Sequence, residues 1–181
     1  VVDYDIDVLL KPDTYAKAVS LIYNGKSDVI YPYRFGNNGQ RRIQRSSNIH
    51  SDFVSNGYDL DFIDSNPNLY SDFGSEYGHC IFFNTDTYKK YGAENENFIS
   101  YGPEDKERGE RFIKIGFNVN WMNESIVYHF EHHRGPDSSN NNPEFLENWR
   151  IYNICKSMSR EKTIFYYKEQ KYNEKYKTIG K

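Results

Sequence analysis

Val1-Val2-Asp3-Tyr4-Asp5-Ile6-Asp7-Val8-Leu9-Leu10 decides how this chain is read. Apolar residues flank three acids at alternate positions, which predicts a buried strand over Val1–Leu10. Alternate residues of a strand share a face, so Asp3, Asp5 and Asp7 are expected to point the same way. Like charges that close repel and raise one another's pKa unless a cation lies among them. Oxygen donors in such a cluster suit Mn²⁺ or Mg²⁺. An edge strand protected by charge gives the same pattern, so the rest of the chain must decide. The abrupt start at Val1 reads as mid-strand, as in an excised piece.

Working outward, Lys11-Pro12-Asp13-Thr14 is a turn into a helix over Tyr15–Tyr23, with Asp13 or Thr14 as its cap. Asp28–Tyr33 reads as a strand. Arg34–Ser75 is polar, without a clear period, and is either a functional loop or a place where helices are hidden. His79–Asn84 is a second buried strand, followed by a short helix over Thr85–Tyr91 closed by Gly92. Pro103–Ile115 is a helix ending at Gly116. Phe117–Trp121 and Ile126–Phe130 are strands, Ser138–Pro143 is a polar loop, and Glu144 onward is helical. Strands alternating with helices predict an α/β fold.

Composition narrows the function. The 181 residues are enough for one domain with a core. Mean hydropathy is low at -0.89, yet 17 Tyr and 12 Phe exclude a disordered chain. Tyr-rich clefts also suit sugars, whose apolar faces stack on rings. A net charge of -3 gives no sign of nucleic acid as a partner. Residues 156–181 hold eight Lys or Arg against three Glu, a net +5 that leaves -8 on the rest. This basic helical tail can touch an anionic membrane surface, or it is a solvated helix. Residues 1–155 form the expected main domain. Cys80 and Cys155 lack metal-site spacing and read as free thiols of a reducing, cytoplasmic compartment. No run approaches a membrane span.

Two further segments carry chemistry. In Tyr101-Gly102-Pro103-Glu104-Asp105, Pro103 suits the first helical position, which puts Glu104 and Asp105 in the first turn. Acids there are stabilised by the helix dipole whatever else they do. Beside an aromatic they can also grip a sugar, and one carboxylate can take a proton from a hydroxyl. His129-Phe130-Glu131-His132-His133 follows a buried-type strand, and a turn after it brings His129 and His132 to one metal.

In order and spacing, these segments resemble the catalytic domain of the beta-1,4-galactosyltransferase family and the related bacterial glycosyltransferases of capsule and surface polysaccharide synthesis. The likeness runs from about Val1 to about Ser139. Asp5-Ile6-Asp7 through Pro12 is similar to the family's D-x-D strand. Gly78-His79-Cys80-Ile81-Phe82-Phe83-Asn84 resembles its Gly-Gly strand, with His79 at the second Gly. Tyr91–Phe98 and Ser100–Asp105 resemble its acceptor motif, with Tyr101 in place of a Trp and Pro103 in place of a Gly. His129–His132 resembles the segment supplying a metal-binding His.

The resemblance implies a GT-A-type nucleotide-sugar fold without the nucleotide-binding part that precedes D-x-D. It implies Asp7, His132 and His129 as ligands of Mn²⁺ (or Mg²⁺), with His133 as a fallback. Asp5, Gly78 and His79 then face the nucleotide-sugar donor. Tyr101, Gly102 and Glu104 bind the glycan acceptor, and Asp105 is the general base. The implied activity is inverting transfer of galactose or an N-acetylhexosamine from a UDP-sugar in polysaccharide synthesis. Two other readings stand beside it: a carbohydrate- or metal-binding module without turnover, and a metal-dependent phosphoesterase.

Overall fold

The first ten residues form two strands rather than one. In the computed structural model, which describes residues 1–170, β1 (Val2–Tyr4) and β2 (Val8–Leu9) are separated by a turn. Val8 N–H donates to the Asp5 carbonyl at 3.2 Å to close it, and Ile6 stands fully exposed at its tip. The expected single strand with Asp3, Asp5 and Asp7 on one face is therefore corrected. An unbroken strand would hold three like charges together. The turn instead sends Asp3 and Asp7 to different partners.

α1 (Pro12–Tyr23) starts at the proline, with Lys11 at its N-cap and no side-chain cap, so neither Asp13 nor Thr14 caps it as expected. Pro at the first helical position needs no N–H partner. The Lys11 ammonium reaches away to Asp61 and Asp64, each at 2.6 Å. β3 (Val29–Tyr31) follows. The polar stretch after it is structured, holding β4 (Gly36–Ile43), α2 (Ser47–Ser55), α3 (Leu60–Asp64) and β5 (Tyr70–Ser75). Next come β6 (Cys80–Phe83), α4 (Thr85–Lys90) and α5 (Glu104–Ile115). Pro103 is the N-cap of α5 and not its first helical residue, and Gly116 at φ +96° ends it in a left-handed turn. β7 (Val119–Trp121), β8 (Val127–Phe130), α6 (Phe145–Ser157) and α7 (Arg160–Lys168) complete the described elements.

The strands form two four-stranded mixed sheets, ordered β1-β6-β3-β7 and β2-β8-β4-β5. The α/β class read from the sequence is the class observed. In the first sheet β6 is antiparallel to both β1 and β3, and β7 is parallel to β3. In the second, β8 is antiparallel to β2 and parallel to β4. The main core joins Val29–Tyr31, Ile81–Phe83 and Phe112 to Val8 and Val127. A second core of Ile43, Ile49, Phe53, Leu60, Ile63 and Tyr128 fills the space between the second sheet and α2–α3. Val127 and Tyr128 thus serve opposite faces of one strand, as alternation requires.

The expected boundary at 155/156 falls inside α6. α7 docks on α5 through Tyr167, whose hydroxyl donates to Glu107 at 2.6 Å. The rest of the basic tail, 171–181, lies outside the described residues. Among the described residues no helix is long and apolar enough to cross a membrane. Cys80 and Cys155 are both free and buried.

Candidate metal centre and acidic cleft

Asp7 sits in the turn before β2. Its carbonyl accepts the Phe130 N–H at 2.9 Å, which fixes it to the end of β8. Asp7 Oδ2 then lies 3.1 Å from His129 Nε2 and 2.7 Å from His132 Nε2. Ligand atoms of these three residues all fall within 4.8 Å of one another. His129 is buried at 4 % exposure, while the His132 side chain is 45 % exposed, so the group opens to solvent on one side. His129 Nδ1 is buried without a partner, an arrangement that costs free energy unless the ring gains something else. One carboxylate and two imidazoles form a donor set that suits Mn²⁺. His133 offers its carbonyl to His132 Nδ1 at 3.0 Å, and its ring is outside the group.

The acidic cleft is built on α5. Asp105 and Arg108 are three residues apart on one helix face, and Arg108 Nη2 meets Asp105 Oδ1 at 2.5 Å. Arg108 Nη1 meets Asp3 Oδ2 and Glu94 Oε2, each at 2.7 Å. The Arg108 side chain is only 4 % exposed, whereas its three carboxylate partners are a third to a half exposed. Burial pushes the Asp105 pKa up, with Arg108 opposing and Asp3 reinforcing. Burial likewise raises Glu104 to about 7, and Glu104 Oε2 is buried without a partner. Asp5 is raised to about 6, first by desolvation and then by Asp105, Asp3 and Asp7. Its residue surface is nonetheless exposed, so the crowding of acids is the firmer of these causes.

Gly78 and His79 join the two groups. Gly78 has φ +91°, and a Cβ there would stand 2.6 Å from Asp105 Oδ2. The Tyr33 hydroxyl donates to its carbonyl at 2.7 Å. His79 has φ +60°, unusual for a residue with a side chain. Its ring centroid lies 5.8 Å from that of His129. Burial and then His129 lower the His79 pKa to about 4, so it is neutral at pH 7. Asp5 N–H donates to the His79 carbonyl at 2.9 Å. The three residues expected to face a donor, Asp5, Gly78 and His79, are therefore neighbours between the metal group and Asp105.

Tyr101 and Gly102 are anchored differently. The Tyr101 ring lies parallel to that of Phe145 at 6.2 Å, and its carbonyl accepts from Asn142 at 2.8 Å and Asn148 at 3.1 Å. A Cβ on Gly102 would come 2.8 Å from Asn148, so only glycine lets α6 approach this closely. Arg111 pins the preceding loop, its guanidinium donating to the carbonyls of Tyr91, Gly92 and Ala93.

Sequence reasoning missed Arg108 and Glu94. The i, i+3 spacing of Asp105 and Arg108 signals that pair. The addition of Asp3 and Glu94 is a tertiary fact with no local signal. Comparisons of the chain with protein-family models, curated sequences and solved structures gave no match.

Proposed function

We propose that the chain is the metal- and acceptor-binding part of an inverting glycosyltransferase of GT-A type. It would use a UDP-sugar of the galactose or N-acetylhexosamine kind and a glycan acceptor, in polysaccharide synthesis. One observation carries the reading. The Gly78-His79 step touches Asp105 on one side and faces His129 on the other, so a carboxylate base and a metal-type donor set flank one position.

Asp7, His129 and His132 would hold Mn²⁺ (or Mg²⁺), which supplies positive charge against a leaving diphosphate. Asp105 is the general base. Burial pushes its pKa up, which raises its basicity, and Arg108 opposes that shift. It takes the proton of the acceptor hydroxyl. That oxygen bonds to the anomeric carbon as the bond to the diphosphate oxygen breaks on the opposite face, which inverts the configuration. Glu104, titrating near 7, can donate or accept a hydrogen bond to an acceptor hydroxyl. Tyr101, exposed at the surface, offers its ring as a stacking surface.

Replacing Asp105 with Asn is expected to lower transfer by about 100-fold or more and to spare Mn²⁺-dependent UDP-sugar binding, read by calorimetry. Turnover at the wild-type rate would remove Asp105 from the mechanism. The tight pairing of Asp105 with Arg108 favours a second reading, a sugar- or metal-binding module without turnover. Its signature is acceptor binding with no Mn²⁺-dependent donor binding.

A further inference from the structure

β4 carries two adjacent arginines that meet opposite fates. Arg41 pairs in register with Tyr128 of β8, and Arg42 with His129. Paired residues of neighbouring strands share a face, and successive residues alternate. Arg41 therefore faces the second core and Arg42 faces the metal side. Arg41 is engaged there, although its Nε has no hydrogen-bond partner. It is ion-paired with Asp64, lies 3.7 Å from Asp72, and stacks 4.5 Å above the Tyr70 ring.

Arg42 is held from behind and left open in front. Its guanidinium carbon stands 4.0 Å over the Phe73 ring. Its Nε lies 3.4 Å from Gln40 Oε1 and 3.5 Å from Glu131 Oε1, both at the long end for such contacts. Nη1 and Nη2 have no hydrogen-bond partner among the described residues, and the side chain is 36 % exposed. The Phe73 face and two weak contacts thus orient a planar fork whose two terminal nitrogens are free. That is the geometry by which arginine takes a phosphate with two parallel hydrogen bonds.

Its position names the ligand class. The strand neighbour of Arg42 is a member of the Asp7–His129–His132 group. An anion seated here would lie beside the cation site and bridge the two. We infer that Arg42 is the residue that grips the diphosphate of the nucleotide-sugar donor beside the metal centre. This rests on the glycosyltransferase reading for the identity of the donor, while the anion site itself stands on the register and the free fork. Binding would compete with Glu131 for Arg42, across a contact that is already long at 3.5 Å.

The test uses the whole chain with inorganic pyrophosphate, UDP and uridine as probes, titrated calorimetrically in the presence of Mn²⁺. Mn²⁺ alone is titrated by electron paramagnetic resonance. Arg42→Ala is expected to leave Mn²⁺ affinity and uridine binding unchanged. It should weaken pyrophosphate and UDP by about 10-fold or more and reduce the salt dependence of their binding. Arg41→Ala, on the opposite face, should bind pyrophosphate as the wild type does, which separates a lost ligand contact from general damage. Equal pyrophosphate affinity in wild type and Arg42→Ala would overturn the inference. So would absence of pyrophosphate and UDP binding in the wild type with Mn²⁺ bound. A wild type that binds pyrophosphate through Arg42 yet transfers no sugar would overturn the transferase reading and leave the anion site standing.

Discussion

Asp3 gives its carboxylate to Arg108 at 2.7 Å, whereas Asp7, four residues on, faces two imidazoles at 2.7 and 3.1 Å. The first setting supplies its own permanent cation, since Arg108 is buried and charged at every accessible pH. The second holds a carboxylate against a buried ring whose pKa is lowered and a solvent-facing one. No arginine or lysine is ion-paired with Asp7 among the described residues. The difference lies in what each region does without a ligand. The Arg108 cluster is part of the fold, and the Asp7 group has the donor set of the proposed metal site. One turn at Asp5–Val8 creates both.

The largest expected effect tests that division. Arg108→Met leaves Asp3, Glu94 and Asp105 facing one another without a cation. Removing one member of a buried pair costs about 3–5 kcal/mol, and the half-exposed carboxylates put this case at the lower end, about 3 kcal/mol. Urea unfolding should show it as a fall in midpoint. Asp7→Asn should change the stability of the metal-free protein by about 1 kcal/mol or less, and the rise in Tm with Mn²⁺ expected of the wild type under the proposed function should be absent from it. Equal destabilisation by both substitutions would break the comparison.

A smaller effect sharpens the link between the regions. Gly78→Ala forces a side chain into a left-handed backbone at φ +91° and into Asp105. Gly57 has φ +69° with nothing within 4 Å of its Cβ position, so Gly57→Ala carries the backbone strain alone, about 1 kcal/mol. Gly78→Ala should cost about 1–2 kcal/mol more and slow transfer, because Asp105 must move. Matching losses of stability in the two variants would mean that Gly78 does not hold Asp105 in place.

Much of the fold was legible where local chemistry and tertiary role coincide. Gly116 ends α5 as its position after Ile115 predicts, and Ile126–Phe130 reads as a strand because its apolar face is buried. The Arg34–Ser75 region was illegible for a physical reason. β4 buries Gln40 and Ile43 amid Gly, Asn and Arg, and Arg41 lies on the core face because Asp64 and Tyr70 receive it. A charged residue that is paired and stacked breaks the apolar alternation a strand is read from. The candidate site was half legible. The D-x-D segment announced carboxylate chemistry, but alternation predicted one shared face. Only the turn, held by contacts to β8 and to His79, sends Asp7 to the histidines and Asp3 to Arg108.

The smallest effect concerns pH, where the two regions pull in opposite directions. Glu104 is raised in the fold to about 7 from an ordinary 4.5. A raised pKa contributes stability that is fully present below 4.5 and is lost as pH rises through about 7. His79 is lowered to about 4 from 6.5. Its contribution is present above 6.5 and is lost as pH falls through about 4. Between pH 7 and 4.5 acidification therefore strengthens the fold through Glu104 and weakens it through His79. Glu104→Gln should lose stability on acidification more steeply than the wild type. His79→Asn, chosen because Asn tolerates the left-handed backbone, should lose it less steeply. The readout is the difference in Tm between each variant and the wild type across that window, without metal. Parallel Tm curves for both variants would show that neither group is buried in the protonation state assigned to it. A change for Glu104→Gln alone would place the acid-sensitive part of the cleft on α5.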